Sequence, residues 1–131
     1  MSPDAFIDYA AQLAVHPTAI PPQVRSITSR AYFGAYHLAA RFIAQLTGAK
    51  RSKHDAHVWL MSSQSADAYE AGRLLATLNA NRIRADYRLD DRVAELLDYA
   101  RVNVEYARDV QRLLQNCASA AKEEILARRR S

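Results

Sequence analysis

The stretch that decides the fold of this chain reads Arg25-Ser26-Ile27-Thr28-Ser29-Arg30-Ala31-Tyr32-Phe33-Gly34-Ala35-Tyr36-His37-Leu38-Ala39-Ala40-Arg41. At about 100° per residue it separates into two faces, as an amphipathic α-helix does. Apolar side chains dominate one broad sector, which holds Val24, Thr28, Tyr32, Ala35, Tyr36, Ala39, Phe42, Ile43 and Leu46. The opposite side carries Gln23, Ser26, Arg30, Gly34, His37 and Arg41. The sequence therefore predicts a long helix with a core face and a polar back.

The polar back carries the residue types that phosphate chemistry uses. Arg30 and His37 are seven positions apart, so they lie two turns apart and nearly in line. A histidine can move a proton near neutral pH, and an arginine can stabilise an anionic phosphorane-like state. These parts suffice for metal-independent cleavage of RNA, whose own 2′-hydroxyl supplies the nucleophile. The structural alternative is an Arg30 paired with a carboxylate of another helix and an interfacial His37.

Gly34 lies between these two residues in the predicted helix. A glycine inside a helix costs about 1 kcal/mol relative to alanine, so it usually marks a close approach. We predict helix-on-helix packing at Gly34, either within the chain or at a homodimer interface, with a bound ligand as the other reading.

The rest of the chain predicts an all-α protein. Helical periodicity and end signals predict helices over residues 4–15, 22–46, 54–61 and 66–81, and a last helix capped by Asp90 or Asp91 that runs to Arg128-Arg129-Arg130. Residues 82–89 are predicted as either helix or loop. No alternation typical of strands competes with this pattern. We expect an antiparallel up-and-down bundle of four to five helices.

Length and composition predict a single domain over residues 1–131, since 131 residues can bury one hydrophobic core. The longest apolar runs are too short to span a bilayer, and the N-terminus lacks the basic region of a secretory signal. The single cysteine, Cys117, excludes an intramolecular disulfide and is typical of a reducing compartment. We therefore expect a cytoplasmic protein that does not associate with a membrane.

Positive charge is concentrated around the opening stretch. No acidic residue occurs between Asp8 and Asp55, whereas that interval holds Arg25, Arg30, Arg41, Lys50, Arg51 and Lys53. The whole chain has a formal net charge of +4, so the excess lies entirely in this segment. A local positive field suits a phosphate-bearing partner; the alternative is an ordinary solvated surface. The candidate nucleotide- or RNA-binding residues are Ser26, Arg41, Lys50, Arg51 and Lys53.

Three other features favour structural roles. His54 and His57 have a spacing that two metal ligands can use, but no further Cys/His cluster accompanies them, so we predict no metal site and no cofactor. Arg82 and Asp86 are predicted to form an ion pair if their segment is helical, with Tyr87 covering the end of the bundle. Cys117 is predicted to be a small core residue.

Two segments resemble a known family. Ser29-Arg30-Ala31-Tyr32-Phe33-Gly34-Ala35-Tyr36-His37-Leu38-Ala39-Ala40 is similar to the "SRAYYAAFHAA" signature of small stand-alone prokaryotic members of the HEPN (higher eukaryote and prokaryote nucleotide-binding) superfamily. Arg82-x-x-Ala85-Asp86-Tyr87 resembles the "R-x-x-ADY" signature that follows in the same proteins. Order and spacing agree over roughly residues 20–115.

The resemblance implies an up-and-down helical bundle that is commonly a homodimer. It also implies one of two activities. Many members are metal-independent endoribonucleases of toxin–antitoxin and defence systems, which use an arginine followed within a few residues by a histidine; Arg30-x6-His37 would supply that pair, with His37 moving the proton and Arg30 stabilising the phosphate. Others are non-catalytic modules that bind nucleotides or partner a nucleotidyltransferase-type antitoxin. A dimeric interaction bundle is the third reading.

Overall fold

The protein is an all-α helical bundle, as its sequence predicts. A computed structural model describes residues 2–15, 20–48 and 56–120, with the backbone alone for residues 118–120. Its helices are α1 (Pro3–Ala14), α2 (Pro21–Thr47), α3 (Ala56–Met61), α4 (Ala66–Tyr87) and α5 (Leu97–Ala120), with a short 3₁₀ helix at Arg92–Glu95 before α5. No strand occurs in these described ranges.

The ends of α2 follow from local chemistry. Pro21 and Pro22 open the helix, where a proline's missing N–H is no loss. The side chain of Gln23 accepts a hydrogen bond from the backbone N–H of Ile20 at 3.0 Å. At the other end Gly48 adopts the left-handed conformation (φ 75°), and its N–H donates to the carbonyl of Ala44. This gives a helix of 27 residues, long enough to serve as the centre of the bundle.

Helix α2 is that centre, because α1, α4 and α5 all pack against it. Its apolar face contributes Ile27, Ala31, Ala35, Ala39 and Ile43, none of which is exposed to solvent. The other helices contribute buried side chains to the same core, namely Ile7, Trp59, Leu60, Leu75, Leu78, Val110 and Cys117. The described helices therefore share one hydrophobic core, in which Cys117 is a small buried residue as predicted.

The second half of the chain differs from the prediction in its helix boundaries. Helix α4 continues through the doubtful segment as far as Tyr87, and α5 begins at Leu97 rather than at Asp91. Asp91 does act as a cap, but of the 3₁₀ helix: its carboxylate accepts from the N–H of Val93 at 3.1 Å. The continuous last helix that we predicted is therefore wrong between residues 91 and 96.

Two aromatic residues also lie elsewhere than predicted. Helical spacing makes Tyr69 a candidate core position, but it is 45% exposed on α4. Tyr87, expected to cover the end of the bundle, is 71% exposed. Their positions follow from the helix's orientation, because α4 buries the row Leu74, Leu75 and Leu78 and turns these tyrosines outward.

A buried arginine explains where α4 ends. The guanidinium of Arg25, in the second turn of α2, donates to the carbonyls of Ala85 (2.9 Å) and Arg88 (3.1 Å) at the end of α4. It also donates to the carbonyl of Asp91 (2.8 Å) and forms an ion pair with Glu95 (2.9 Å). Helix carbonyls without intrahelical partners need donors, and Arg25 supplies them. Its charge is therefore neutralised inside the protein, so Arg25 does not contribute to an outward positive field as the sequence suggested.

Candidate functional site

The predicted Arg30 and His37 lie on the outer side of α2, between α1 and α4. These two flanking helices both pack on α2 without an extensive contact with each other. Side chains from all three helices therefore meet along one surface, which we call the aromatic strip. It consists of Phe6, Tyr9, Arg30, Phe33, His37 and Arg82.

Arg30 is partly buried and has no anionic partner. Its guanidinium carbon lies 4.9 Å from the centre of the Tyr9 ring, a cation–π contact with α1. Its Nε is buried without an acceptor, and its terminal nitrogens form no hydrogen bond or ion pair with any described residue. By contrast, seven other arginines of the described chain are ion-paired, namely Arg25, Arg73, Arg82, Arg84, Arg101, Arg108 and Arg112. Within the described ranges, Arg30 is thus not the carboxylate-paired arginine of the structural alternative.

His37 is exposed and surrounded by aromatic rings. Phe6 and Phe33 lie nearly parallel to the imidazole, at centroid distances of 6.2 and 6.5 Å and an interplanar angle of 24° in each case. Tyr36 meets it edge-on at 5.1 Å. Neither ring nitrogen is hydrogen-bonded to the part of the chain that the structure describes, so both are available to a ligand.

Gly34 separates the two residues and brings α1 close. A Cβ at this position would lie 2.5 Å from Cγ1 of Ile7 and 3.0 Å from the carbonyl oxygen of Pro3. The predicted helix-on-helix packing is confirmed, and the helix concerned is α1 of the same chain. Because α1 fills the space over Gly34, no second copy of the protein packs directly on this glycine.

The two signature segments meet in space at the α4 side of the strip. The hydroxyl of Ser29 donates to Asp86 at 3.3 Å, and Asp86 pairs with Arg82 at 3.7 Å, which confirms the predicted ion pair. The guanidinium of Arg82 lies 5.0 Å from the centre of the Tyr32 ring and 6.0 Å from that of Phe33. Burial raises the pKa of Tyr32, and the nearby Arg82 opposes that rise only in part.

The remaining predicted binding residues are spread along α2 and beyond it. Ser26 is half-buried one turn before Arg30, and Arg41 is exposed one turn after His37. Arg41 also lines a shallow cavity of about 180 Å³ with Asp4, Gln45 and Gln111. Lys50, Arg51 and Lys53 lie outside the described residues. The structure thus places Ser26, Arg30, His37 and Arg41 along one side of a single helix.

Sequence reasoning missed the aromatic half of this site. In the sequence, the spacing of Phe6 and Tyr9 indicates only the period of the first helix, whereas in the structure Tyr9 is 45% exposed and covers Arg30. Phe33, 40% exposed, was assigned to neither face. Its spacing held a signal: it comes three residues after Arg30 and four before His37, so it belongs to their side of the helix.

Other classes of site find little support in the described ranges. No group of three or more His, Cys, Asp and Glu residues there has the arrangement of a metal site. His57 is half-buried at the start of α3, and His54 lies outside the described residues. In the same ranges, no helix combines the length and apolarity that crossing a membrane requires.

Comparisons with protein-family models, with curated proteins and with solved structures find no match to this chain.

Proposed function

We propose that the protein is a HEPN-like, metal-independent endoribonuclease of a toxin–antitoxin or defence system, acting in the cytoplasm. The observation that carries this proposal is Arg30, a partly buried guanidinium with no acceptor among the described residues, two turns from an exposed His37. An arginine held by a cation–π contact but left without an anion is suited to bind a phosphate.

The spacing of the pair suits one phosphodiester. Seven residues of helix rise about 10 Å, and because helical side chains lean towards the helix N-terminus, His37 leans towards the turn that holds Arg30. His37 takes the proton of the ribose 2′-hydroxyl, whose oxygen attacks the adjacent phosphorus. The bond to the 5′-oxygen breaks, and the imidazolium returns the proton to that oxygen. Arg30 stabilises the negative charge on the pentavalent phosphorus. The products are a 2′,3′-cyclic phosphate and a 5′-hydroxyl.

The second candidate is a non-catalytic nucleotide-binding module, or the partner of a nucleotidyltransferase-type antitoxin. The observation that favours it is the setting of His37. Catalytic histidines are normally oriented by a carboxylate or carbonyl on the second ring nitrogen, and no such group within the described ranges contacts His37. A homodimer, as the HEPN resemblance implies, would change this setting by bringing a second strip to the first.

Cleavage in excess chelator tests the first candidate. Purified protein is incubated with RNA beside three variants, Arg30→Ala, His37→Ala and Arg73→Ala, and the new ends are identified. We expect cyclic-phosphate ends, with the rate at least about a hundredfold lower in the first two variants. Arg73→Ala removes one exposed α4 arginine that is paired with Glu70, so it controls for the loss of charge.

Equal cleavage by all four proteins would reject the nuclease and leave the binding module. The module itself is tested by equilibrium binding of a nucleotide or of RNA to the same variants, together with co-purification of a neighbouring nucleotidyltransferase. Unchanged affinity in Arg30→Ala and the absence of any stable complex would remove its support.

A further inference from the structure

Phe33 is exposed in an unusual setting, on the otherwise polar back of α2. Phe33 is 40% exposed, and two groups that interact with aromatic rings lie near it. The His37 imidazole is nearly parallel to its ring, and the Arg82 guanidinium lies 6.0 Å from the ring centre. Phe6 of α1 is also inclined by 24° to the imidazole, so His37 has a nearly parallel ring from each of two helices, α1 and α2.

The charges around these rings favour an anionic ligand. Arg30 lacks an acceptor, and the Nε of Arg82 is likewise buried without one among the described residues. Among the described residues, the acidic group that pairs with the strip is Asp86, which is engaged by Arg82 and Ser29.

The carboxylates of α1 face away from the strip. Asp8 pairs with Arg108 of α5 at 2.8 Å, and Asp4 accepts from Gln111 of the same helix. Helix α1 therefore turns its acids to α5 and its aromatic rings, Phe6 and Tyr9, to the strip. This segregation leaves aromatic rings and guanidinium groups together on one surface.

Ring faces bordered by cations are the components with which proteins bind unpaired nucleobases. A base stacks on an aromatic face while the neighbouring phosphate contacts arginine, and the bases of a duplex are not free to do so. We propose that Phe33 and His37 stack an unpaired nucleobase of single-stranded RNA whose adjacent phosphate is held by Arg30. This base site rests on the proposed function, and it assigns Phe33 a role in binding that the cleavage chemistry does not require.

The test compares three labelled oligonucleotides of equal length with the full-length protein: single-stranded RNA, duplex RNA and a single strand with abasic sugars. Affinities are measured by fluorescence anisotropy at a fixed salt concentration, because phosphate contacts are salt-dependent. We expect single-stranded RNA to bind most tightly. Phe33→Ala should weaken that binding between about fivefold and a hundredfold, towards the affinity of the abasic strand.

Two variants make the result specific. Phe33→Trp keeps a stacking ring and should retain the affinity of the wild type. Tyr69→Ala removes an aromatic ring of similar exposure, 45%, from the start of α4 and should change nothing. Because Phe33 is exposed, its replacement should leave the fold intact, which circular dichroism verifies.

Several outcomes would overturn the base site. One is equal binding of the abasic and the normal strand; another is an unchanged affinity in Phe33→Ala. A third is a dimer that Phe33→Ala converts to a monomer, as measured by analytical ultracentrifugation, while each chain keeps its affinity for RNA. That result would make the strip a subunit interface. If Phe33→Ala still cleaves RNA and binds it with unchanged affinity, the base site is rejected and the proposed nuclease function stands. If binding depends on Phe33 but the wild type does not cleave RNA, the nuclease is rejected and the base site stands.

Discussion

Arg25 and Arg30 are five residues apart on the same helix, yet their surroundings are opposite. Arg25 is 8% exposed and donates to backbone carbonyls at the end of α4 and to the carboxylate of Glu95. Arg30 contacts the face of Tyr9 and donates to no described residue. Five positions turn a helix by about 140°, so one arginine faces the junction of α4 with the 3₁₀ helix and the other faces α1.

This comparison shows that charge counted along a sequence does not tell which charges a ligand can reach. Both arginines belong to the segment without acidic residues, and both therefore seemed equally suited to bind phosphate. The Arg25 guanidinium is held by internal acceptors and stabilises the fold. The Arg30 guanidinium has none within the described chain and is the better candidate for function.

The largest expected effect comes from replacing Arg25. Arg25→Ala leaves the carbonyls at the end of α4 without donors and Glu95 without its partner, so we expect a loss of about 3 kcal/mol in the free energy of unfolding. Arg30→Ala should cost less than about 1 kcal/mol, since it breaks only one cation–π contact. Urea unfolding followed by circular dichroism measures both. Equal losses in the two variants would contradict the distinction drawn between these arginines.

A smaller effect is expected at the two tightly packed glycines. A Cβ on Gly34 would press on Ile7 and the backbone of Pro3, and a Cβ on Gly72 would lie 2.8 Å from the carbonyl oxygen of His57. The overpacking outweighs the gain in helix propensity, so each alanine variant should lose about 1–2 kcal/mol. Thermal and urea unfolding measure this loss.

The two glycine variants should differ in function. Gly34→Ala displaces α1 and with it Phe6 and Tyr9, so RNA binding and cleavage should fall. Gly72→Ala disturbs the packing of α3 on α4, away from the strip, and should leave both unchanged. If Gly72→Ala lowered RNA binding as much as Gly34→Ala, the strip would not be the site.

The smallest effect is expected in how pH changes the stability of the junction between α4 and the 3₁₀ helix. The hydrogen bond from Arg84 is the main cause that lowers the pKa of Asp91, and the N–H of Val93 adds to it. A carboxylate with a lowered pKa in the folded state stabilises the protein at neutral pH, and this contribution is lost as the pH falls below its ordinary value of 3.8.

The Asp91→Asn variant should therefore have a slightly lower free energy of unfolding than the wild type at pH 7. This difference in free energy should become smaller below about pH 4. Urea unfolding at a series of pH values checks this. Asp98→Asn is the control, because Asp98 is almost fully exposed and 3.8 Å from Arg101. If the difference in the free energy of unfolding at pH 7 stayed the same in acid, Asp91 would act only as a helix cap.

Much of the fold could be predicted from short-range pattern. The helical period of residues 24–46, the prolines before it and the glycine after it define α2 without reference to any other helix. The i, i+4 spacing of Arg82 and Asp86 likewise predicts an ion pair if their segment is helical. The segment is helical, and the ion pair forms. The 3₁₀ helix could not be predicted in this way, because nothing within residues 91–96 forbids a continuous helix.

By itself, the sequence determined that the chain folds into helices, that α2 has a core face and a polar back, and that Arg30, Gly34 and His37 share that back. Tertiary structure alone decided which arginine is buried, because the acceptors of Arg25 lie about 60 to 70 residues away in the chain. It also decided that α1 covers Gly34 and places Phe6 and Tyr9 beside His37 and Arg30. A helical period reports how side chains are arranged around one axis, whereas the environment of each side chain depends on which other helix lies against it.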